Sequence, residues 1–140
     1  MAEKIFNQEF KGYWLQKNVL ELPNHSGVYI VQAYNYNKEK DNVSLIRLIY
    51  IGKADNINDR VNNHEKLVDW KKELKQGEEL CYSCTNVSTD YNERVEAALI
   101  NSNQPIVNVE YKNSFPFDTT VINSNGLFMM LRKKIKVIRH

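Results

Sequence analysis

The chain reads as an α+β domain with a small, mostly antiparallel central sheet flanked by helices. Three observations predict it. Short runs rich in β-branched and aromatic residues recur at 28–36, 45–51 and 79–86, each bounded by turn-forming residues. Segments with helical spacing follow the second and third runs. The order strand, strand, helix, strand, helix then gives α+β architecture. At 140 residues and 42% hydrophobic composition the chain can bury one core without staples, so one domain over 1–140 is expected.

Each element has its own signal. In residues 1–26, Phe6/Phe10, Phe10/Trp14 and Leu15/Val19 recur at intervals of four, which predicts one or two amphipathic helices packed on the domain. Pro23-Asn24-His25-Ser26-Gly27 ends that segment. Val28 to Tyr36 and Leu45 to Ile51 read as the arms of an antiparallel hairpin with a long polar loop from about Tyr36 to Leu45. Gly52 closes the second arm. Asp55 or Asn56 caps a helix running to about Leu74, with Val61, Leu67, Val68 and Leu74 as its apolar stripe. Gln76-Gly77 stops it. Glu79 to Asn86 is a third strand. Ser88-Thr89-Asp90 opens a second helix, with Asp90 and Glu93 as a capping box and Val95, Ala98 and Leu99 facing inward. Beyond Asn108, Val121-Ile122 and Leu127 to Leu131 flank an Asn-Gly pair, which signals a terminal hairpin.

Composition narrows the function classes. The net charge is +2, but five of the last nine residues are basic: Arg132, Lys133, Lys134, Lys136 and Arg139. Such a cluster serves a phosphate backbone or a plain solvated face. Cys81 and Cys84 form a C-x-x-C without a second pair or paired histidines, so a structural zinc site lacks ligands. In a strand, residues three apart face opposite sides, and both are read as reduced thiols. There is no signal-peptide pattern and no membrane-length apolar run, so a cytoplasmic protein with no membrane contact is expected.

Six side chains of five types stand out together. Tyr29 and Tyr50 sit on the two arms of the hairpin and can approach across the sheet. Arg60 and His64 share a helical face at i, i+4. Arg60 can grip two phosphate oxygens in one plane, and His64 can shuttle a proton or hydrogen-bond a phosphate. Glu96 lies beside the apolar stripe of the second helix, and Asn108 follows a Pro-containing loop. Phenols, a guanidinium, an imidazole, a carboxylate and an amide can together bind one divalent metal and hydrolyse a phosphodiester. Each also has a bland reading. Tyrosines pack in strands, an Arg/His pair at i, i+4 is commonly a solvated face, and an Asn in a loop serves the backbone.

In order and spacing these residues resemble the GIY-YIG nuclease family, over about 27–113. Gly27-Val28-Tyr29 and Tyr50-Ile51-Gly52 correspond to the two halves of the family name. Arg60 follows Tyr50 by ten residues, His64 follows by four more, and Glu96, Leu99-Ile100, Pro105 and Asn108 complete the run. The resemblance implies a DNA endonuclease using one Mg²⁺ or Mn²⁺ ion on Glu96, with Arg60 clamping the scissile phosphate. Asn108 would support the site by hydrogen bonding. Tyr29 is taken as the general base, assisted by Tyr50, with Lys53 as the cation that lowers its pKa. Two departures are Val28 in place of isoleucine and a longer hairpin loop. Non-catalytic nucleic-acid binding, or a protein-interaction module using the aromatics at 6–14 and 115–117, are the competing readings. Specificity is left open between the hairpin loop, the terminal additions, a homodimer and a protein partner.

The tail yields one test. With Lys133, Lys134 and Lys136 all changed to Gln, DNA affinity should fall evenly across sequences and its salt dependence should flatten. An unchanged slope of affinity against salt would identify the tail as a solvated strand.

Overall fold

A computed structural model describes residues 3–140. Its architecture is α+β, as the sequence pattern predicts, but with two sheets. The central one is fully antiparallel, in the order β2-β5-β3-β4, with β2 at Lys11–Leu15, β3 at Gly27–Asn37, β4 at Asn42–Ala54 and β5 at Glu79–Asn86. The second, in the order β1-β6-β7, comprises Lys4–Glu9, Thr120–Asn125 and Lys134–Val137, with β1 parallel to β6 and β7 antiparallel to it. The helices are α1 (Ile57–Asn62), α2 (Leu67–Lys71) and α3 (Asn92–Asn103). Among the described residues no helix is long and apolar enough to cross a membrane.

The alternation along β3 divides the interior in two. Val28 and Ile30 point towards α3 and the second sheet, joining Ile51, Leu99, Phe115 and Ile122 in one core. Tyr29, Val31 and Ala33 point the other way, joining Ile49, Ile57, Trp70 and Tyr82 in a second core. β3 is buried on both faces, and its near-continuous apolar run has that physical cause.

Several expectations fail, each for an identifiable reason. Residues 4–15 form two strands, followed by a 3-10 turn at Gln16–Glu21; Met1 and Ala2 lie outside the described residues. A spacing of four is even, so it satisfies the two-residue period of a strand as well as a helix. Phe6 and Gln8 face inward, and the Gln8 amide donates to Thr85 Oγ1 at 2.8 Å and to the Asn86 carbonyl at 3.0 Å, tying β1 to β5. The hairpin loop is not long: β3 and β4 extend as a ribbon that turns at 38–41.

The expected helix to Leu74 is broken at 63–66, and Val68 is solvent-exposed while Trp70 takes the inward position. Asn62 and Asn63 turn their amides back onto the Asn58 and Asp59 carbonyls, so polar side chains compete with helix continuation there. α3 starts at Asn92 with no side-chain cap, so the Asp90/Glu93 capping box does not form. Residues 127–131 are not a strand. Their backbone is held by side chains of the central sheet: Gln32 and Ser83 donate to the Phe128 carbonyl, and Met130 N–H donates to Gln32 Oε1.

Two glycines are set by close approach. Gly52 lies opposite Tyr29 in the β3–β4 register, and a Cβ there would overlap the Tyr29 phenol. A Cβ at Gly27 would strike the Thr85 carbonyl. Gly52→Ala should therefore cost about 1–3 kcal/mol, the usual penalty for overpacking a buried ring. Chemical denaturation should show that loss, and the cost of Gly52→Ala should shrink when it is measured in a Tyr29→Ala background. A neutral Gly52→Ala would mean that the ring is free to move.

Candidate active site

The site lies at the outer edge of β4. Among the described residues that edge has no neighbouring strand, so its N–H and C=O groups need other partners. The segment after α3 supplies them. Val107 N–H donates to the Ile49 carbonyl at 2.9 Å. The Asn108 side chain brackets Ile51, with Oδ1 accepting from Ile51 N–H and Nδ2 donating to the Ile51 carbonyl, both at 2.9 Å. Further along, Lys53 N–H donates to Glu96 Oε2 at 2.8 Å, which brings α3 against the strand end.

Around these contacts is a cavity of about 320 Å³. Tyr29, Tyr50, Lys53, Arg60, Glu96 and Asn108 all line it, drawn from five separate elements or loops. Lys66 and Glu110, which no sequence pattern singles out, line it too. The two phenol rings are 6.2 Å apart between centroids on one face of the hairpin.

α1 delivers Arg60, and at six residues it is too short to hold itself. Asparagines fix it. Asn56 caps it by accepting from Asp59 N–H at 3.1 Å. Asn58 donates to the Leu20 and Leu22 carbonyls at 2.9 and 2.8 Å, and Asn62 donates to the Val19 carbonyl at 2.9 Å. Arg60 itself forms a two-pronged ion pair with Glu65.

His64 is placed differently from the expectation. It sits in the break between α1 and α2, so it does not share a helical face with Arg60. Its side chain is 0% exposed and does not line the cavity. Nδ1 accepts from Lys66 N–H at 3.0 Å, so the neutral ring carries its proton on Nε2, which is buried without a partner. The ring packs 4.4 Å from Trp70, with Tyr50 and Tyr29 meeting it edge-on. Trp70, fully buried beneath both phenols, escapes a sequence reading that takes Val68 for the stripe. Its i, i+3 spacing from Leu67 is the signal that could have found it.

The basic tail does not line this cavity. Lys134 and Lys136 point outward from β7 while Ile135 and Val137 point in, and none of Lys133, Lys134 and Lys136 lines the cavity. Arg139 is paired with Asp118 at 2.8 Å. Cys81 and Cys84 are free and buried, and burial pushes each thiol up to about 12.

The wall mixes three cations, Lys53, Arg60 and Lys66, with two carboxylates, Glu96 and Glu110. Burial pushes the Glu96 carboxyl up to about 7, against the Lys53 N–H bond and the Lys53 charge, with Glu93 and Glu110 adding to the rise. Burial also holds the Tyr29 phenol well above its ordinary value, and Tyr50, Glu96 and Glu65 reinforce this. The cation opposing that rise is Arg60, not Lys53 as the spacing suggested. Tyr50 is pushed to about 12, mainly by burial. Burial, with Arg60 and Lys66 nearby, lowers His64 to about 4.

A hard divalent cation fits this donor set. Glu96 is a half-buried carboxylate with a raised pKa, and a positive charge beside it would offset the burial. All the candidate donors are oxygens, as Mg²⁺ prefers. Among the described residues no three His, Cys, Asp or Glu side chains cluster as a ready-made cage. Such an ion would therefore draw its other ligands from water and substrate.

Two comparisons give context. The chain is 32% identical to UvrABC system protein C of Rickettsia bellii (strain RML369-C) over 108 residues, and 32% identical to the protein of that name from Rickettsia canadensis (strain McKiel) over 107. Each match covers 74% of this chain and 15% of the relative, so the chain spans only a small part of those proteins' length. No family model and no solved structure matches the chain.

Glu96 and His64 give opposite pH dependences. Glu96, raised from 4.5 to about 7, favours folding only while protonated, so its contribution is full below pH 4.5 and lost as pH rises through 7. His64, lowered from 6.5 to about 4, favours folding only while neutral, so its contribution is full above pH 6.5 and lost as pH falls through 4. Glu96→Gln should stabilise the protein at about pH 8 by roughly 1–2 kcal/mol, after discounting for the half-exposed carboxyl. On acidification from pH 6.5 to 4 the variant should lose melting temperature more steeply than wild type. A constant offset at every pH would contradict the burial of Glu96.

Proposed function

We propose that the protein is a metal-dependent DNA endonuclease of the GIY-YIG type that cleaves phosphodiester bonds with one Mg²⁺ or Mn²⁺ ion on Glu96. The observation that carries this reading is the convergence on one cavity wall of Glu96, Arg60, Tyr29 and Tyr50, held by the Asn108 bracket and the Lys53 N–H. The likeness to UvrABC system protein C over most of the chain supports it, as does the order of motifs from Gly27 to Asn108.

In this reading Arg60 binds two non-bridging oxygens of the scissile phosphate and lines it up for attack. The ion supplies charge neutralisation for the phosphate and the leaving oxygen. Tyr29 takes the proton of the attacking water. In the free protein that phenol is neutral, so its own proton must first pass to solvent water through the cavity that it lines, and neutralising Glu96 removes one of the charges that keep its pKa high. Tyr50 orients the water or Tyr29. His64 acts through other groups: it floors the two phenols and fixes the turn that carries Lys66, and does not touch the phosphate.

Plasmid and branched DNA incubated with the protein in Mg²⁺ test the reading. Wild type should nick or cut in Mg²⁺ and not in EDTA. Glu96→Gln should lose cleavage by at least about 10³-fold while keeping its fold and DNA binding. Arg60→Lys, which keeps the charge but loses the fork, should lose about 10²-fold or more. DNA binding without cleavage by wild type, under any divalent cation, would favour a non-catalytic binding module instead.

A further inference from the structure

The Arg60 fork is already occupied. Its Nη1 donates to Glu65 Oε2 at 2.9 Å and its Nη2 to Glu65 Oε1 at 3.0 Å. Glu65 is exposed and sits in the break between α1 and α2, at the side of the cavity that Arg60 and Lys66 line. The break is not slack. His64 Nδ1 holds the Lys66 N–H from beneath, and Asn63 donates to the Asp59 carbonyl at 2.9 Å, so Glu65 is displayed from a fixed turn. Two coplanar carboxylate oxygens offer a guanidinium the same pair of acceptors as two non-bridging oxygens of a phosphodiester.

We propose that Glu65 is an internal stand-in for the substrate phosphate, so that DNA docks by exchanging a diester for this carboxylate on the Arg60 fork. The inference rests on the nuclease reading above and adds a residue that sets affinity. An exposed ion pair is weak and screened by salt, so Glu65 does not close the site. It holds Arg60 extended at the cavity and sets a threshold that a single weakly held phosphate does not meet. Neighbouring phosphates along a DNA backbone, engaging Lys53 and Lys66 at the same cavity, help to pass it. Once displaced, Glu65 returns to water, where a carboxylate is stable.

The opposite role is equally concrete: Glu65 could splint Arg60, which would then bind phosphate through its remaining N–H groups. The two roles predict opposite signs. Binding of a fluorescein-labelled DNA duplex is followed by anisotropy in EDTA and low salt, so that no cleavage intervenes. Glu65→Gln is compared with Asp69→Asn, which removes the same charge from the exposed face of α2, away from the cavity. The stand-in role predicts that Glu65→Gln binds about fivefold more tightly than Asp69→Asn, with the gap narrowing as salt rises. It also predicts that the gain disappears when Glu65→Gln is made in an Arg60→Lys background. Equal or weaker binding by Glu65→Gln, with Mg²⁺-dependent cleavage intact, would overturn the stand-in role and leave the nuclease reading in place. No DNA binding by any of the proteins would overturn both.

Discussion

The open edge of β4 is the constraint on which the site depends. An edge strand leaves every second residue with an N–H and a C=O facing outward, and burying them unpaired costs free energy. This chain satisfies them with pieces that also line the cavity. Asn108 brackets Ile51, between Tyr50 and Gly52, and so pins the strand at the point where Tyr50 leaves it. Glu96 accepts the Lys53 N–H, so the carboxylate is fixed by the same edge. The Tyr29 ring lies over Gly52 on the strand pair that this edge stabilises. Removing the Asn108 amide would therefore loosen backbone, phenol and carboxylate together.

The electrostatics follow from that geometry. A carboxylate drawn into a partly closed wall to meet a backbone N–H loses water, and its pKa rises. The same enclosure lifts the two phenols and lowers the imidazole beneath them. Near pH 7 the two phenols and the imidazole are thereby neutral and Glu96 is half-neutral, and of the four only Glu96 costs the fold stability there. Arg60, the permanent charge facing this region, is balanced by Glu65 from outside. Lys53 and Lys66 make no ion pair among the described residues.

Much of the central sheet was legible because it is made of short apolar runs with hard stops. β5 has the bounds that its composition suggests, and β3 and β4 pair as the hairpin pattern requires. Failures occur where the deciding contacts are distant in sequence. The parallel pairing of β1 with β6 joins residues more than a hundred apart, and nothing local marks it. The Asn-Gly signal near 125 is overridden because Gln32 and Ser83 capture the segment that would have formed the second arm. At the site, residues fixed by strand register or a helix face gather in the cavity. The His64 expectation assumed an unbroken helix, and the asparagines at 62 and 63 break it. The same break determines where Glu65 and Lys66 fall, and no spacing rule reaches them; Trp70 is reachable only through its i, i+3 spacing from Leu67.

The most direct test asks where a divalent cation binds. Titration of Mn²⁺ into isotope-labelled protein, with amide signals followed by NMR, reads proximity to the paramagnetic ion without any need for turnover. Glu96 as the cation's anchor predicts that the Lys53, Glu96 and Asn108 amides broaden first and together, and that Mg²⁺ competes the effect away. Early broadening at the hairpin tip or another acidic surface, with these three amides unaffected, would contradict the account.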